Sequence, residues 1–287
     1  MDRIGERLEA LLEDSYARRS RSEDPIDFVH RYDDPVDQEV VGLLASSLAF
    51  GNALAARRSV GRALEVLGTR PAQTCSNATE EELRERLSGF VHRIYRGDHL
   101  AVVLSRAGRL LDSHGSLGSA FEARYEDTGG DFREALALFA DALRGEARTR
   151  NLRHLVSDPR AGSACKRLLL YARWMVRPDD GIDLGLWSIS PSQLVMPVDT
   201  HVHRIGRNLG LTERKTASWA TAEDITASLR RYDPDDPVKY DFALCHLGVS
   251  RECPSRPDLD KCARCLLHPV CTVWEQGRGR RRRQGAA

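Results

Sequence analysis

Residues 195–211 read VMPVDTHVHRIGRNLGL. After Pro197 the sequence turns helical: Val202, Ile205 and Leu209 recur at i, i+3 and i+7, the stripe of an amphipathic helix. Asp199 stands just before that stripe, where a carboxylate accepts hydrogen bonds from the free N–H groups of a first turn. Three readings of Asp199 are open: an N-cap, a metal ligand together with a histidine, or a catalytic carboxylate. His201 and His203 are two positions apart and leave a helix on different sides, so they do not easily share one metal ion.

The same helical period runs outward in both directions. DPVDQEVVGLLASSLAF, residues 34–50, starts with Asp34 as cap and Pro35 at the first helical position. SVGRALEVLG ends on Gly68, and DHLAVVLSRAGRLLDSHG is bounded by Asp98 as cap and Gly115 as stop. DFREALALFADALRGEA, SACKRLLLYARWMV and AEDITASLRRY continue the pattern. Alternating runs joined by hairpin turns are absent, which predicts an all-α protein of about ten to twelve helices with no internal repeat. RPDDGIDLGLWSISPSQ, residues 177–193, interrupts the pattern as a loop rich in Asp, Gly and Pro.

The 287 residues suffice for one large domain or two lobes. No run of eighteen apolar residues exists, so no membrane span is expected. The charged N-terminus lacks the apolar stretch of a signal peptide, which predicts a cytoplasmic protein. The net charge is only +1, from 43 basic and 42 acidic residues, so any nucleic-acid footprint must be local. RGRRRRQ at 278–284 reads as a solvated tail or as one that attracts phosphate. Arginine outnumbers lysine 39 to four. The four lysines therefore stand out, because lysine alone of the pair can shed its proton and act as a nucleophile.

Four of the seven cysteines cluster near the C-terminus: Cys253, Cys262, Cys265 and Cys271, spaced C-x8-C-x2-C-x5-C. In a cytoplasmic chain this spacing points to a metal site before it points to disulfides. Four thiolates suit structural zinc or a [4Fe–4S] cluster, and spacing alone does not choose. Either would order RPDLDKCARCLLHPVC, which carries little apolar content of its own. Cys75, Cys165 and Cys245 read as ordinary buried thiols. Lys166 follows Gly162 and Ser163 and opens an apolar helix, a position suited to phosphate, or to a surface amine in a first turn.

Taken in order, PVDTHVHRIGRNLGL, a helical stretch and then CARCLLHPVC resemble the endonuclease III branch of the helix-hairpin-helix DNA glycosylase superfamily. That branch carries a V-D-T-H motif and a C-x6-C-x2-C-x5-C cluster; the first spacing here is two residues longer. Over residues 25–272 the chain is more similar still to a poorly characterised prokaryotic family related to these glycosylases, through DPVDQEVVGLLASSLAFGN, GSACKRLLLYARWMVR and MPVDTHVHRI.

The resemblance implies Asp199 as the catalytic carboxylate, Lys166 as the lyase amine, and the four clustered cysteines as ligands of [4Fe–4S], with zinc as the alternative. It implies contacts to damaged double-stranded DNA from Gly162, Ser163, Arg256, Lys261 and Arg264. Phe50 and Asn52, in SSLAFGN, would fill the gap left by a flipped base, with a core Phe at a helix end as the other reading. Trp187 would either stack on the base or pack in the core. Two departures stand: the L-P-G-x-G-K-T hairpin is replaced by DPRAGSACKRL, and Lys166 and Asp199 lie 33 positions apart, farther than in that branch. The implied architecture is two helical lobes with a cleft between them. One is a central barrel over 36–180 with a degenerate hairpin near 157–168. The other is formed by 1–35 with 181–272, followed by a basic tail at 273–287. The implied function is a DNA repair glycosylase with AP-lyase activity, nucleoid-associated and with no protein partner inferable. The alternative is a non-catalytic or regulatory iron–sulfur nucleic-acid-binding protein.

Overall fold

The computed structural model describes residues 2–18, 21–22, 24–146, 149–256 and 258–275. The arginine run at 278–283 lies outside the described residues. Among the described residues the protein is all-α apart from one short hairpin. Its helices in chain order are α1 (Arg3–Arg18), α2 (Pro35–Leu48), α3 (Ala53–Leu67), α4 (Pro71–Asn77), α5 (Glu80–Arg86), α6 (Gly97–His114) and α7 (Leu117–Asp127). These are followed by α8 (Phe132–Arg144), α9 (Arg150–Leu155), α10 (Lys166–Val176), α11 (Thr200–Asn208), α12 (Trp219–Arg230), α13 (Asp241–Val249) and α14 (Leu259–Arg264). Among the described residues no helix is long and apolar enough to cross a membrane.

The expected boundaries at Asp34–Pro35, Gly68 and Gly115 are those observed. Two differ. Asp98 sits inside the first turn of α6, and the cap position falls on Arg96, whose N–H donates to His99 Nδ1 at 3.0 Å. A hairpin, β1 (Val91–His92) with β2 (Tyr95–Arg96), stands where no β structure was expected. Strands of two residues are too short to show an alternating pattern.

The chain divides into two compact units, Ser20–Gln193 and a discontinuous one of Met1–Arg19 with Leu194–Ala287. The boundary differs from the expected 36–180: residues 25–35 and 181–193 pack in the continuous unit. The 3-10 turn Pro25–Arg31 lies against α2, and His30 Nε2 is 2.8 Å from the Ile182 carbonyl. In this unit α2 is buried almost all round and packs on α10, while α6 is central to α4, α5, α7 and α8. Gly108 permits the α6–α4 approach: a Cβ there would come 2.0 Å from the Cys75 carbonyl oxygen.

In the discontinuous unit α1 packs on α13, with the Tyr240 hydroxyl donating to Glu9 at 2.5 Å and Lys239 between Glu9 (3.0 Å) and Asp233 (2.8 Å). Helix α11 also packs on α13, through Gly248, where a Cβ would meet the His201 side chain at 2.5 Å.

Candidate functional site

Asp199 caps α11. Its Oδ1 accepts from the backbone N–H groups of His201 and Val202, both at 2.8 Å. Its Oδ2 takes no part in the cap and lies 3.7 Å from the Cys245 thiol, on α13. The carboxylate is thus held by one oxygen and presents the other. The sequence reads Cys245 as an ordinary buried thiol; it is only partly buried, and the α11–α13 packing brings it here. The two histidines diverge as the helical geometry requires: His203 Nε2 is 2.9 Å from the Arg214 carbonyl, whereas His201 is packed against Gly248.

Helix α11 links Asp199 to the cysteines. Ile205, Asn208 and Leu209, on its C-terminal half, line a cavity of about 140 Å³ that Cys253, Cys262, Cys265 and Cys271 line as well. Arg204 donates to the Cys253 carbonyl at 2.5 Å, and the Thr272 hydroxyl donates to the Asn208 carbonyl at 3.1 Å. Burial pushes the thiols of Cys253, Cys262 and Cys265 up, and each is raised further by its neighbours in the set. Four thiolates so placed repel one another unless a cationic core lies among them. Among the described residues no three His, Cys, Asp or Glu side chains already stand as a ligand set for a single ion. What fits a four-thiolate group is that all four cysteines border one cavity, which Arg204, Glu252 and His268 border as well. Arg256 and Arg264 are exposed, and Lys261 Nζ donates to the Arg251 carbonyl at 3.2 Å.

In the continuous unit, Lys166 is the first residue of α10. The N-cap position is Cys165 in the left-handed region (φ 45°), with no side-chain cap bond. Gly162, also left-handed, closes the preceding 3-10 turn of Pro159–Ala161, and Ser163 Oγ accepts from Cys165 N at 3.4 Å. Lys166 Nζ donates to the Ala49 carbonyl at 3.4 Å. The structure therefore joins two stretches that the sequence reading treated separately, the start of α10 and the loop 49–52. Asn52 caps α3 through Ala55 N at 3.0 Å.

Phe50 is half-buried. Its ring lies 4.9 Å from His92, 5.0 Å from Tyr95 and 5.9 Å from His154, with the guanidinium groups of Arg167 and Arg93 at 5.3 and 5.5 Å. Tyr95 pairs with His154 Nδ1 at 2.6 Å, and burial pushes its hydroxyl up to about 12. Burial lowers His92 and His154, so both imidazoles are neutral at pH 7. No signal in the sequence ties these residues together, because they come from four separate segments.

Trp187 corrects an expectation. It is 4% exposed, stacked on Phe121 at 5.0 Å and edge-on to Tyr171 at 5.2 Å. Its indole N–H donates to Glu39 Oε1 at 2.8 Å. A ring so enclosed offers no face to a base, and packing is the role the structure shows.

No curated protein and no solved structure matches the chain. The chain belongs to the family described as protein of unknown function (DUF2400), whose sequence profile matches residues 24–250, a span that holds Lys166 and Asp199 and stops short of Cys253.

Proposed function

We propose that this protein is an endonuclease III-like DNA glycosylase that removes a damaged base from duplex DNA through Asp199. The observation that carries the reading is the divided carboxylate: Oδ1 is engaged by two backbone N–H groups, and Oδ2 is left to a weak thiol contact. Capping explains the first oxygen and not the second.

In the reaction the N-glycosidic bond breaks and the base departs with the electron pair, leaving positive charge on C1′. A carboxylate stabilises that charge and accepts the proton of the incoming nucleophile as its bond to C1′ forms. With Lys166 as nucleophile the product is a Schiff base, and β-elimination nicks the strand; with water only the base is released. The damaged base leaves the stack first, at a cost of a few kcal/mol that is smallest for a base already poorly paired.

Cys253, Cys262, Cys265 and Cys271 would hold a [4Fe–4S] cluster, whose chemistry here is structural, ordering the segment behind α11. A brown preparation with iron and sulfide supports this assignment; a colourless one containing zinc replaces it.

The test is a panel of duplexes, each with one oxidised or alkylated base, incubated with borohydride and wild-type, Asp199→Asn or Lys166→Ala protein. Asparagine still accepts N–H bonds at an N-cap, so the first variant keeps the helix start and loses only the charge. Excision of one lesion by wild type, reduced at least a hundredfold in Asp199→Asn, is the expected result. A trapped adduct that disappears in Lys166→Ala makes the lysine the nucleophile. Full turnover by Asp199→Asn, or no excision by wild type across the panel, overturns the reading and leaves the binding-protein alternative.

A further inference from the structure

A second opening in the continuous unit lies away from Lys166. It is a groove of about 760 Å³ between α3 and the hairpin β1–β2. Arg57, Arg58, Arg62 and Arg93 line it, against a single acid, Glu65. The whole chain carries a net charge of only +1, so this is a local concentration of positive charge.

Three of the four guanidinium groups are held in place by their neighbours. Arg57 donates to the Asp24 carbonyl at 2.7 Å and pairs with Asp27 at 3.2 Å, which offsets its charge. Arg62 donates to the Val91 carbonyl at 2.8 Å and lies 5.4 Å from the Phe90 ring. Arg93 lies over the Phe50 ring, and a Cβ at Gly51 would come 2.8 Å from its Nη1. Among the described residues no carboxylate pairs with Arg58, Arg62 or Arg93, and all three are exposed. Arg58 and Arg62 are one helical turn apart and project from the same face.

The hairpin tip adds a second observation. Arg93 has φ +54°, a left-handed conformation unfavourable for a non-glycine residue. Glycine would relieve it but would remove the Arg93 guanidinium that lies over Phe50 beside that of Arg167. Leu54 (58% exposed) and Val91 line the groove as uncovered aliphatic surface.

We propose that this groove binds a nucleic-acid strand through its phosphodiester backbone. Arginine forks match phosphate oxygens bidentately, and the exposed aliphatic side chains meet sugars and base faces. One end of the groove, at Arg93, reaches the 49–52 loop on which Lys166 Nζ is bonded. The inference deepens the glycosylase reading by assigning a path for the strand, and it is tested without any excision.

The experiment is fluorescence anisotropy of a labelled, undamaged duplex and its single strand with the full chain. At about 0.1 M salt, Arg58→Glu and Arg62→Glu should each weaken binding about tenfold, and the pair about a hundredfold. The slope of log K against log salt should become shallower by about one for each phosphate contact removed. Arg58→Lys, which keeps the charge at an exposed position, should retain most of the affinity. Arg109→Glu, exposed on α6, should change nothing. Binding and slope unchanged in the Arg58/Arg62 double variant, with a wild-type melting curve, overturns the proposal. So does wild-type protein that binds neither oligonucleotide, or a groove whose variants lose only binding to anionic phospholipid vesicles. The oligonucleotides carry no damaged base, so failure of the groove and failure of the excision chemistry give different results.

Discussion

Two stretches, residues 177–193 and 250–271, look alike in sequence: polar, rich in Asp and Pro, and poor in periodic apolar residues, although the second carries the short helix α14. They are ordered by different means. The first buries Ile182, Asp183, Trp187 and Ile189. Asp183 is fully buried between Arg173, at 2.9 Å, and Arg177, and Arg177 also reaches Asp180 at 3.1 Å. The N–H groups of Leu184 and Trp187 donate to the Trp174 and Met175 carbonyls at the end of α10. The second stretch buries one described hydrophobic side chain, Leu267, and otherwise holds four thiols around one cavity. A segment with a buried ion network and an indole needs nothing added. One with a single described buried leucine would draw its order from the cluster proposed for its thiols.

The largest effect that tests this contrast is on the second segment. Replacing Cys262 with Ser, or treating the protein with a chelator to strip the proposed cluster, should expose 250–271 to protease while leaving 177–193 resistant. Metal-dependent ordering of small thiolate sites is worth on the order of 10 kcal/mol. Mass spectrometry of the first cleavage sites reads the result, and an unchanged cleavage pattern would put the two stretches in one class.

Next in size is Asp183→Ala, which leaves Arg173 and Arg177 buried without their carboxylate and should cost about 3–5 kcal/mol in urea unfolding. A loss below about 1 kcal/mol would mean that the ion network does not hold the loop.

The smallest effect sharpens how the loop is seated. Glu39 accepts the Leu117 N–H at 2.7 Å, the Gly118 N–H at 2.9 Å and the Trp187 indole, yet burial raises its carboxyl above the ordinary range, beyond what these bonds offset. A raised folded-state value means that the folded protein holds its proton longer than the unfolded chain. This contribution to stability is complete below the unfolded value near 4.5 and is lost as pH rises through the folded one. Glu39→Gln should flatten that part of the stability–pH curve, measured by urea unfolding at a series of pH values. An identical curve in the variant would remove Glu39 from the linkage.

How far the sequence could be read follows the range of the interactions. The helix boundaries at Asp34, Gly68, Gly115 and Asp199 depend on bonds spanning two to four residues, so they were legible. Trp187 was not, because its partner Glu39 lies 148 residues away and a polar loop hides a buried ring. The groove was not either, although Arg58 and Arg62 are visible one turn apart, because its other wall is the hairpin at 91–96.

By itself the sequence determined the helical class, the placing of Asp199 at a helix start and the grouping of four cysteines, since periodicity, capping and close spacing are local properties of the chain. Only the tertiary structure decided that Asp199 keeps one oxygen toward Cys245, that Lys166 rests on the loop of Phe50, and that Trp187 belongs to the core. These depend on which helix faces meet, and that choice is made by burial across distant segments.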